Sequence, residues 1–400
     1  MNRFVLLAAP EYPPHSIGGG GVVVKNIAWQ LAGKGYKVIV MTGYYKTKSL
    51  FEKPRVSRDG NIIVLWLPLI PTPKFSPYLE SYMPPNLYSL IMLHKILKKI
   101  LKVGVVHLHG YGHMLIDYVA WLLKRNNKPY VLTIHGIPKS PLYLGKPSLK
   151  YTFLIYTRLI GRKTVEGATK ITAISRATAK DALLYGARLE QLVIVPNGIN
   201  PNYADGIGKN TFRKRYGIPP EMKLILCSGR LHPRKGFQYA IAAMQYILKE
   251  EPNTVLVIIG DGPYKKILEG LAKKLGVERN IIFTGYVDEI TKKEALADAD
   301  VVLIPSLIEP FGLVALEAMI MGKPIVAGNV DGLREILSPY EFLVNPKNIH
   351  ELACKTLYLL RNSGIREEVK RHLLEKVHKY HWDSIVSIYE NIYRTLISLK

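Results

Sequence analysis

Glu309-Pro310-Phe311-Gly312-Leu313-Val314-Ala315-Leu316-Glu317 comes just after the apolar run Val301-Val302-Leu303-Ile304-Pro305-Ser306. That run is short, β-branched and bounded by turn residues, the pattern of a buried strand. Residues 312–321 are apolar nearly all round, as in a helix packed inside a layered α/β domain, and Glu317 is the only ionisable side chain among them. Burying a polar group without partners costs roughly 1 to 3 kcal/mol, and a charge more, so something must use this carboxylate. At about 100° per residue Glu317 lies only ~40° round the helix from Leu313. Glu309, at the strand-to-helix turn, and Glu317 can therefore face one crevice, beyond the carboxyl end of a strand, where open α/β sheets bind ligands. A solvated loop acid and a packing accident remain the bland alternative for this pair alone.

Working outward, the second half of the chain repeats one unit. Strand-like runs at 224–228, 255–259, 281–284, 301–305 and 324–327 are each followed by a loop and a helical pattern. The first of them delivers Gly229-Arg230, then Arg234-Lys235-Gly236, at a strand-to-helix turn. Cations placed there can neutralise a diphosphate and stabilise it as it leaves, although a lone surface cation is as often merely solvated.

The first half shows the same alternation, with strands expected at 4–9, 37–41, 62–67, 103–109, 130–135, 171–175 and 192–195. The pattern predicts two doubly wound α/β halves with parallel sheets. Val195-Pro196-Asn197-Gly198-Ile199-Asn200-Pro201 and the aperiodic stretch to Lys214 set the boundary, giving domains 1–199 and 200–380. A final helix over 381–400 carries Ile385, Ile388, Tyr389, Ile392, Tyr393 and Leu396 as one apolar stripe that must pack on something. After the first strand come four glycines, Gly18 to Gly21, and a helix, an arrangement that lets backbone amides approach a phosphate. A dinucleotide fingerprint would need glycine where Val23 stands, and no Gly-Lys-Ser/Thr follows, so neither that fingerprint nor a P-loop is supported.

Four hundred residues with 48% hydrophobic content fit two or three globular domains. No apolar run of 18 residues and no charged-then-apolar leader is seen, so neither a membrane span nor a secretory signal is expected. Two distant cysteines, Cys227 and Cys354, fit a reducing cytoplasm. The net charge of +24 is uneven: residues 1–200 hold 27 Lys and Arg against 8 Asp and Glu. A half that basic attracts phosphate-bearing surfaces, whether lipid, polyanionic glycan or nucleic acid; nucleic acid ranks last because no recognition motif accompanies the charge.

As a set, the Gly18–Gly21 turn, Thr133-Ile134-His135-Gly136, Val195-Pro196-Asn197-Gly198, Gly229-Arg230 with Lys235-Gly236, Gly260-Asp261-Gly262-Pro263, Gly285-Tyr286-Val287 and the Glu309–Glu317 stretch resemble glycosyltransferase family 4 in family order. The resemblance implies a GT-B fold: two Rossmann-like domains facing across a cleft, the second holding a nucleotide sugar, the first mainly the acceptor, the final helix crossing back. It implies Arg230 and Lys235 on the donor diphosphate, Glu317 on the ribose hydroxyls, and Glu309 on sugar hydroxyls beside the backbone amides of Phe311, Gly312 and Leu313. It further implies Val287 meeting the base, Gly19 and Gly20 approaching the phosphates, and His135 beside the transferred sugar. Such families work without a bound metal or other cofactor, taking a UDP- or GDP-sugar as substrate, so catalytic roles fall to His135, Arg230, Lys235 and Glu309. The expected reaction is retaining transfer of a hexose to a glycan or lipid-linked acceptor.

His107, His109 and His113 have a spacing that zinc could use, set against strand histidines that line or flank a cleft. Residues 86–102 place Leu90, Leu93, Leu97 and Ile100 at helical spacing with Lys95, Lys98, Lys99 and Lys102 towards one end, and 148–163 mixes apolar, aromatic and basic residues similarly. An ordinary amphipathic helix explains this, and so does a peripheral surface for anionic lipid on the inner face of a membrane. A phosphorylase, an epimerase or a polyanion-binding protein are the rival functions.

Overall fold

In the computed structural model, residues 3–15, 18–44, 49, 51–70, 82–102, 104–137, 151 and 154–398 are described. The side chains of residues 97, 98, 100 and 101 lie outside that description, as do residues 103, 138–150 and 152–153, so the side chains expected at 97, 98 and 100 and positions 148–150 and 152–153 of the 148–163 stretch fall outside it. The chain forms two compact units, Met1–Asn197 with Trp382–Lys400, and Gly198–His381.

The first unit holds β1 (Phe4–Ala9), β2 (Lys37–Tyr44), β3 (Arg55–Asp59), β4 (Ile62–Pro68), β5 (Val105–His109), β6 (Val131–Ile134), β7 (Lys170–Ala173) and β8 (Leu192–Ile194). They make one sheet in the order β3-β4-β2-β1-β5-β6-β7-β8, parallel except for β3 against β4. Strand β1 is buried over its last five residues, as a strand covered by helices on both faces must be. Hairpin strand β3, Arg55-Val-Ser-Arg-Asp59, was not expected: it is polar and mostly exposed, so it carries no apolar signal. The helix Gly19–Gly33 starts at the glycine turn, and the helix Trp382–Ser398 packs against it and against β5. The apolar stripe of this last helix is the face it buries, with Ile385, Tyr389, Ile392, Tyr393 and Leu396 all covered.

The second unit holds β9 (Lys223–Ser228), β10 (Thr254–Ile259), β11 (Ile281–Gly285), β12 (Val301–Ile304), β13 (Ile325–Gly328) and β14 (Leu343–Val344). All pair in parallel, in the order β11-β10-β9-β12-β13-β14. This is the doubly wound order of a Rossmann-type sheet, and its direction reverses between β9 and β12. In sheets of this kind ligands bind beyond the carboxyl ends of the strands at that reversal. Where the chain leaves and re-enters this unit, Ile199 N donates to Tyr380 O at 2.8 Å. The stretch before Lys214, expected to be irregular, contains the short helix Thr211–Tyr216, whose six residues are too few to show a period.

Candidate functional site

In the second unit the turn after β9 runs Gly229-Arg230-Leu231-His232 into the 3-10 turn Pro233–Lys235, then into the helix Phe237–Glu250. Gly236 stands at φ 72°, and a Cβ there would lie 1.8 Å from Pro305 O, so only glycine lets this loop press against the end of β12. Leu307 N donates to Arg234 O at 2.8 Å, tying the two switch-point loops together. That contact sets the Lys235 ammonium 2.6 Å from Glu309 Oε2, and the Ser306 hydroxyl donates to the same oxygen at 3.3 Å. Burial pushes the Glu309 carboxyl up, but Lys235 first and Arg234 next outweigh it and leave it below the usual carboxylate range. Arg230 is exposed at the mouth of the same loop. His232, which sequence reading passed over, reports the loop's field: burial first, then Arg234, Arg230 and Lys235, push its imidazole down to about 4.

Gly312, at φ 117°, opens the helix Leu313–Ile320, and its carbonyl accepts from Ala315 N at 3.0 Å and Leu316 N at 3.3 Å. Phe311 is buried and packs edge-on against Tyr380, ring centroids 6.2 Å apart. One turn further on, Glu317 Oε1 pairs with Lys292 Nζ at 2.9 Å, whereas Oε2 is buried and has no hydrogen-bond partner among the described residues. Burial raises the Glu317 carboxyl, Lys292 opposing it. Lys235 acts electrostatically on both Glu309 and Glu317, so the two carboxylates share one cation's range. Val287 is half-buried in the loop between β11 and the helix Glu289–Asp298. The neighbouring loop after β10 packs backbone to backbone on the β9 turn, where a Cβ at Gly260 would stand 2.0 Å from Gly229 O.

In the first unit Gly19 and Gly20 form the first turn of their helix, and a Cβ at Gly20 would lie 3.9 Å from His135 Cδ2. His135 follows β6 and meets His109, Nε2 to Nδ1, at 3.1 Å. His107, two residues before His109, spends both ring nitrogens, on Tyr393 Oη at 2.7 Å and on Thr133 Oγ1 at 2.6 Å. Among the described residues no group of three or more His, Cys, Asp or Glu is placed to hold a metal ion. His107 and His109 belong to a buried imidazole stack that joins the last helix to the end of β5 and to His135, whereas His113 stacks on Tyr82, ring centroids 4.2 Å apart. Burial, then His113, push His135 down to about 4.

Comparison with known proteins fits this architecture. Residues 17–203 match the family model for Glycosyltransferase Family 4, and residues 208–374 match that for Glycosyl transferases group 1. An uncharacterized glycosyltransferase of Methanocaldococcus jannaschii is 31% identical over 404 residues, covering 97% of each chain. D-inositol 3-phosphate glycosyltransferase of Xylanimonas cellulosilytica is 29% identical over 342 residues, covering 80% of this chain and 77% of the relative. Among solved structures, sucrose-phosphate synthase of Thermosynechococcus elongatus superposes with a TM-score of 0.81 at 22% identity, and Anabaena HepE in complex with UDP-glucose with 0.71 at 19%, each covering 99% of both chains. Two Rossmann-like units of the GT-B fold thus make up this chain, which belongs to glycosyltransferase family 4.

Proposed function

We propose that this glycosyltransferase moves a hexose, with retention of configuration, from a nucleoside diphosphate donor to a hydroxyl of a glycan or lipid-linked acceptor. The observation that carries the proposal is the convergence, at the switch point between β9 and β12, of a cationic loop and a buried ionised carboxylate, Lys235 against Glu309. Arg230 and Lys235 would hold the donor diphosphate, Glu309 the sugar hydroxyls, and the amides of Phe311, Gly312 and Leu313 the adjoining oxygens. Val287 would meet the base, Glu317 the ribose, Gly19 and Gly20 the phosphates, and His135 the transferred sugar. The ligands named for a solved relative, UDP with glucose and UDP-glucose, support a nucleoside diphosphate sugar as donor.

In the proposed step the acceptor oxygen attacks the anomeric carbon on the face that the leaving group vacates. The bond from that carbon to the β-phosphate oxygen breaks, and the departing phosphate takes the acceptor proton. Arg230 and Lys235 stabilise the charge growing on it. Nucleotide release on incubation with UDP- and GDP-sugars and an acceptor panel tests this. Phosphorolysis of a glycan without nucleotide release would instead favour a phosphorylase.

The lipid-linked form of the acceptor rests on neighbouring helices of the first unit, which would present one face. Helices Leu87–Leu101, Met114–Arg125 and the segment 154–166 expose Leu87, Ile91, Trp121, Ile155 and Leu159. Lys95, Lys99, Lys102, Arg125 and Arg158 are exposed with them. Among the described residues no helix is long and apolar enough to cross a membrane. Such a face would instead lie on anionic lipid, at about 1 kcal/mol per basic residue near the surface. Co-sedimentation with anionic vesicles at low salt, lost at high salt, is the expected result; equal binding to neutral vesicles would remove this part of the proposal.

A further inference from the structure

A chain of four polar side chains in the second unit ends on Glu317 Oε1, the carboxylate whose other oxygen, Oε2, has no hydrogen-bond partner among the described residues. The Tyr203 hydroxyl donates to Glu289 Oε1 at 2.9 Å. Glu289 Oε2 lies 3.1 Å from Lys292 Nζ, and Lys292 Nζ lies 2.9 Å from Glu317 Oε1. Glu289 and Lys292 sit one turn apart at the start of the helix Glu289–Asp298, whose cap, Asp288, accepts from Thr291 N at 2.7 Å and fixes that turn. Lys292 is largely covered, with a side-chain exposure of 20% against 59% for Glu289. A long amphipathic cation is rarely held in so covered a place by its stem alone; here two carboxylates hold it.

We propose that Lys292 is a positioning residue for donor binding: its ammonium clamps one oxygen of Glu317 and leaves the other bare to accept hydrogen bonds from the hydroxyls of the donor nucleotide. This rests on the reading that the second unit takes a nucleoside diphosphate sugar. It adds a residue from a different helix, whose own neighbourhood carries no recognisable motif.

The physical need is plain. A buried carboxyl is driven towards its neutral form, and a neutral carboxyl offers a donor where the nucleotide hydroxyls need an acceptor. Among the described residues, Lys292 and Lys235 act on Glu317 to favour the carboxylate, and Glu289 opposes it. Of the two cations only Lys292 bonds it directly, Lys235 being spent on Glu309. Removing Lys292 therefore leaves Glu317 buried, beside another carboxylate and without a bonded cation. Glu289 is turned to Lys292 by Tyr203, over whose ring Lys293 Nζ stands 4.4 Å from the centroid.

The test uses the whole protein and two readouts. In carboxyl-carbon NMR with glutamate labelling, the Glu317 resonance, assigned through Glu317→Gln, should be ionised at neutral pH in the wild type and in Lys292→Arg. In Lys292→Met it should titrate at distinctly higher pH. By calorimetry, affinity for UDP or GDP, whichever the wild type binds more tightly, should fall by at least about 30-fold in Lys292→Met near neutral pH. It should recover as pH rises and the carboxyl ionises, while Lys292→Arg follows the wild type. Lys292→Met combined with Glu317→Gln should lose little beyond Glu317→Gln alone. Wild-type affinity in Lys292→Met, or a uniform loss with no dependence on pH, overturns the proposal. If Lys292→Met fails to fold, Lys292→Gln gives the same two readouts. If the wild type binds neither nucleotide, the donor reading fails, and the carboxyl titration still decides whether Lys292 controls Glu317.

Discussion

The Lys235 ammonium and the Glu309 carboxylate, 74 positions apart in the chain, are bonded at 2.6 Å in the second unit. Each was expected to serve a different part of one donor, the diphosphate and the sugar. If Lys235 holds the donor diphosphate as proposed, the diphosphate would compete with Glu309 for its ammonium. Glu309→Gln should then lower kcat more than it weakens donor binding, because a group that only binds ground state and transition state equally does not accelerate the step. Steady-state kinetics beside calorimetric donor titration checks this, and near-wild-type turnover in the variant would remove Glu309 from the chemistry.

Truncating Arg230 or Lys235 to Ala or Met should cost about 2 to 4 kcal/mol of transition-state stabilisation, read from kcat/KM. The exposed Arg230 should also give the more salt-sensitive part of donor binding. Because the proposed mechanism stabilises the leaving diphosphate with these two cations, EDTA should leave the wild type active. Activity abolished by EDTA and restored by Mn²⁺ would place a metal at the diphosphate.

Gly236→Ala should impair both stability and turnover. The substitution forces a side chain onto a φ of 72° and a Cβ into the carbonyl of Pro305, so the loop carrying Lys235 must shift, at a stability loss above about 2 kcal/mol. Thermal unfolding and kcat/KM measured together check this; unchanged values in both would show that the loop is not held as described.

The buried imidazoles make the first unit sensitive to acid. Burial first, then its neighbour His135, hold His107 at about 3; His135 is held at about 4, and His109 lies well below its ordinary value for the same first reason. From about pH 6.5 down to 4 the unfolded chain binds protons that the folded chain excludes. The stability these neutral rings contribute is therefore fully present above pH 6.5 and lost as pH falls towards the folded-state values. Each such proton adds about 1.4 kcal/mol per pH unit to the slope. Denaturant unfolding at pH 7, 6 and 5 measures it, and Tyr393→Phe, which strips His107 Nδ1 of its partner, should cost about 1 to 3 kcal/mol at pH 7.

Sequence carried the fold because every strand of the two sheets except two is a short apolar run between turn residues. The exceptions are physical. Hairpin strand β3 is mostly exposed and polar, so no face of it is recorded in hydrophobic residues, and the last strand of the second sheet, β14, is only two residues long. Within the site, Glu317 was legible because one charge stood alone in an apolar helix. Its partner Lys292 was not: it sits beside Lys293 in a helix with no apolar stripe, 25 positions away, and only the fold shows which of the two turns inward. The pairing of Lys235 with Glu309 was hidden for the same reason, since spacing along the chain holds no trace of two loops meeting at a switch point. The histidines were legible as a cluster but not as a stack spent on Thr133 and Tyr393, because that depends on where the last helix docks.

The central claim, retaining transfer from a nucleoside diphosphate sugar, is tested most directly by proton NMR of the first-formed sugar product, followed from the moment an α-linked UDP- or GDP-sugar is added. Water can serve as acceptor if none in a panel does. The account predicts release of the nucleoside diphosphate together with a product that is α at the anomeric carbon before any mutarotation. A β product, or a sugar product formed without nucleotide release, would contradict it.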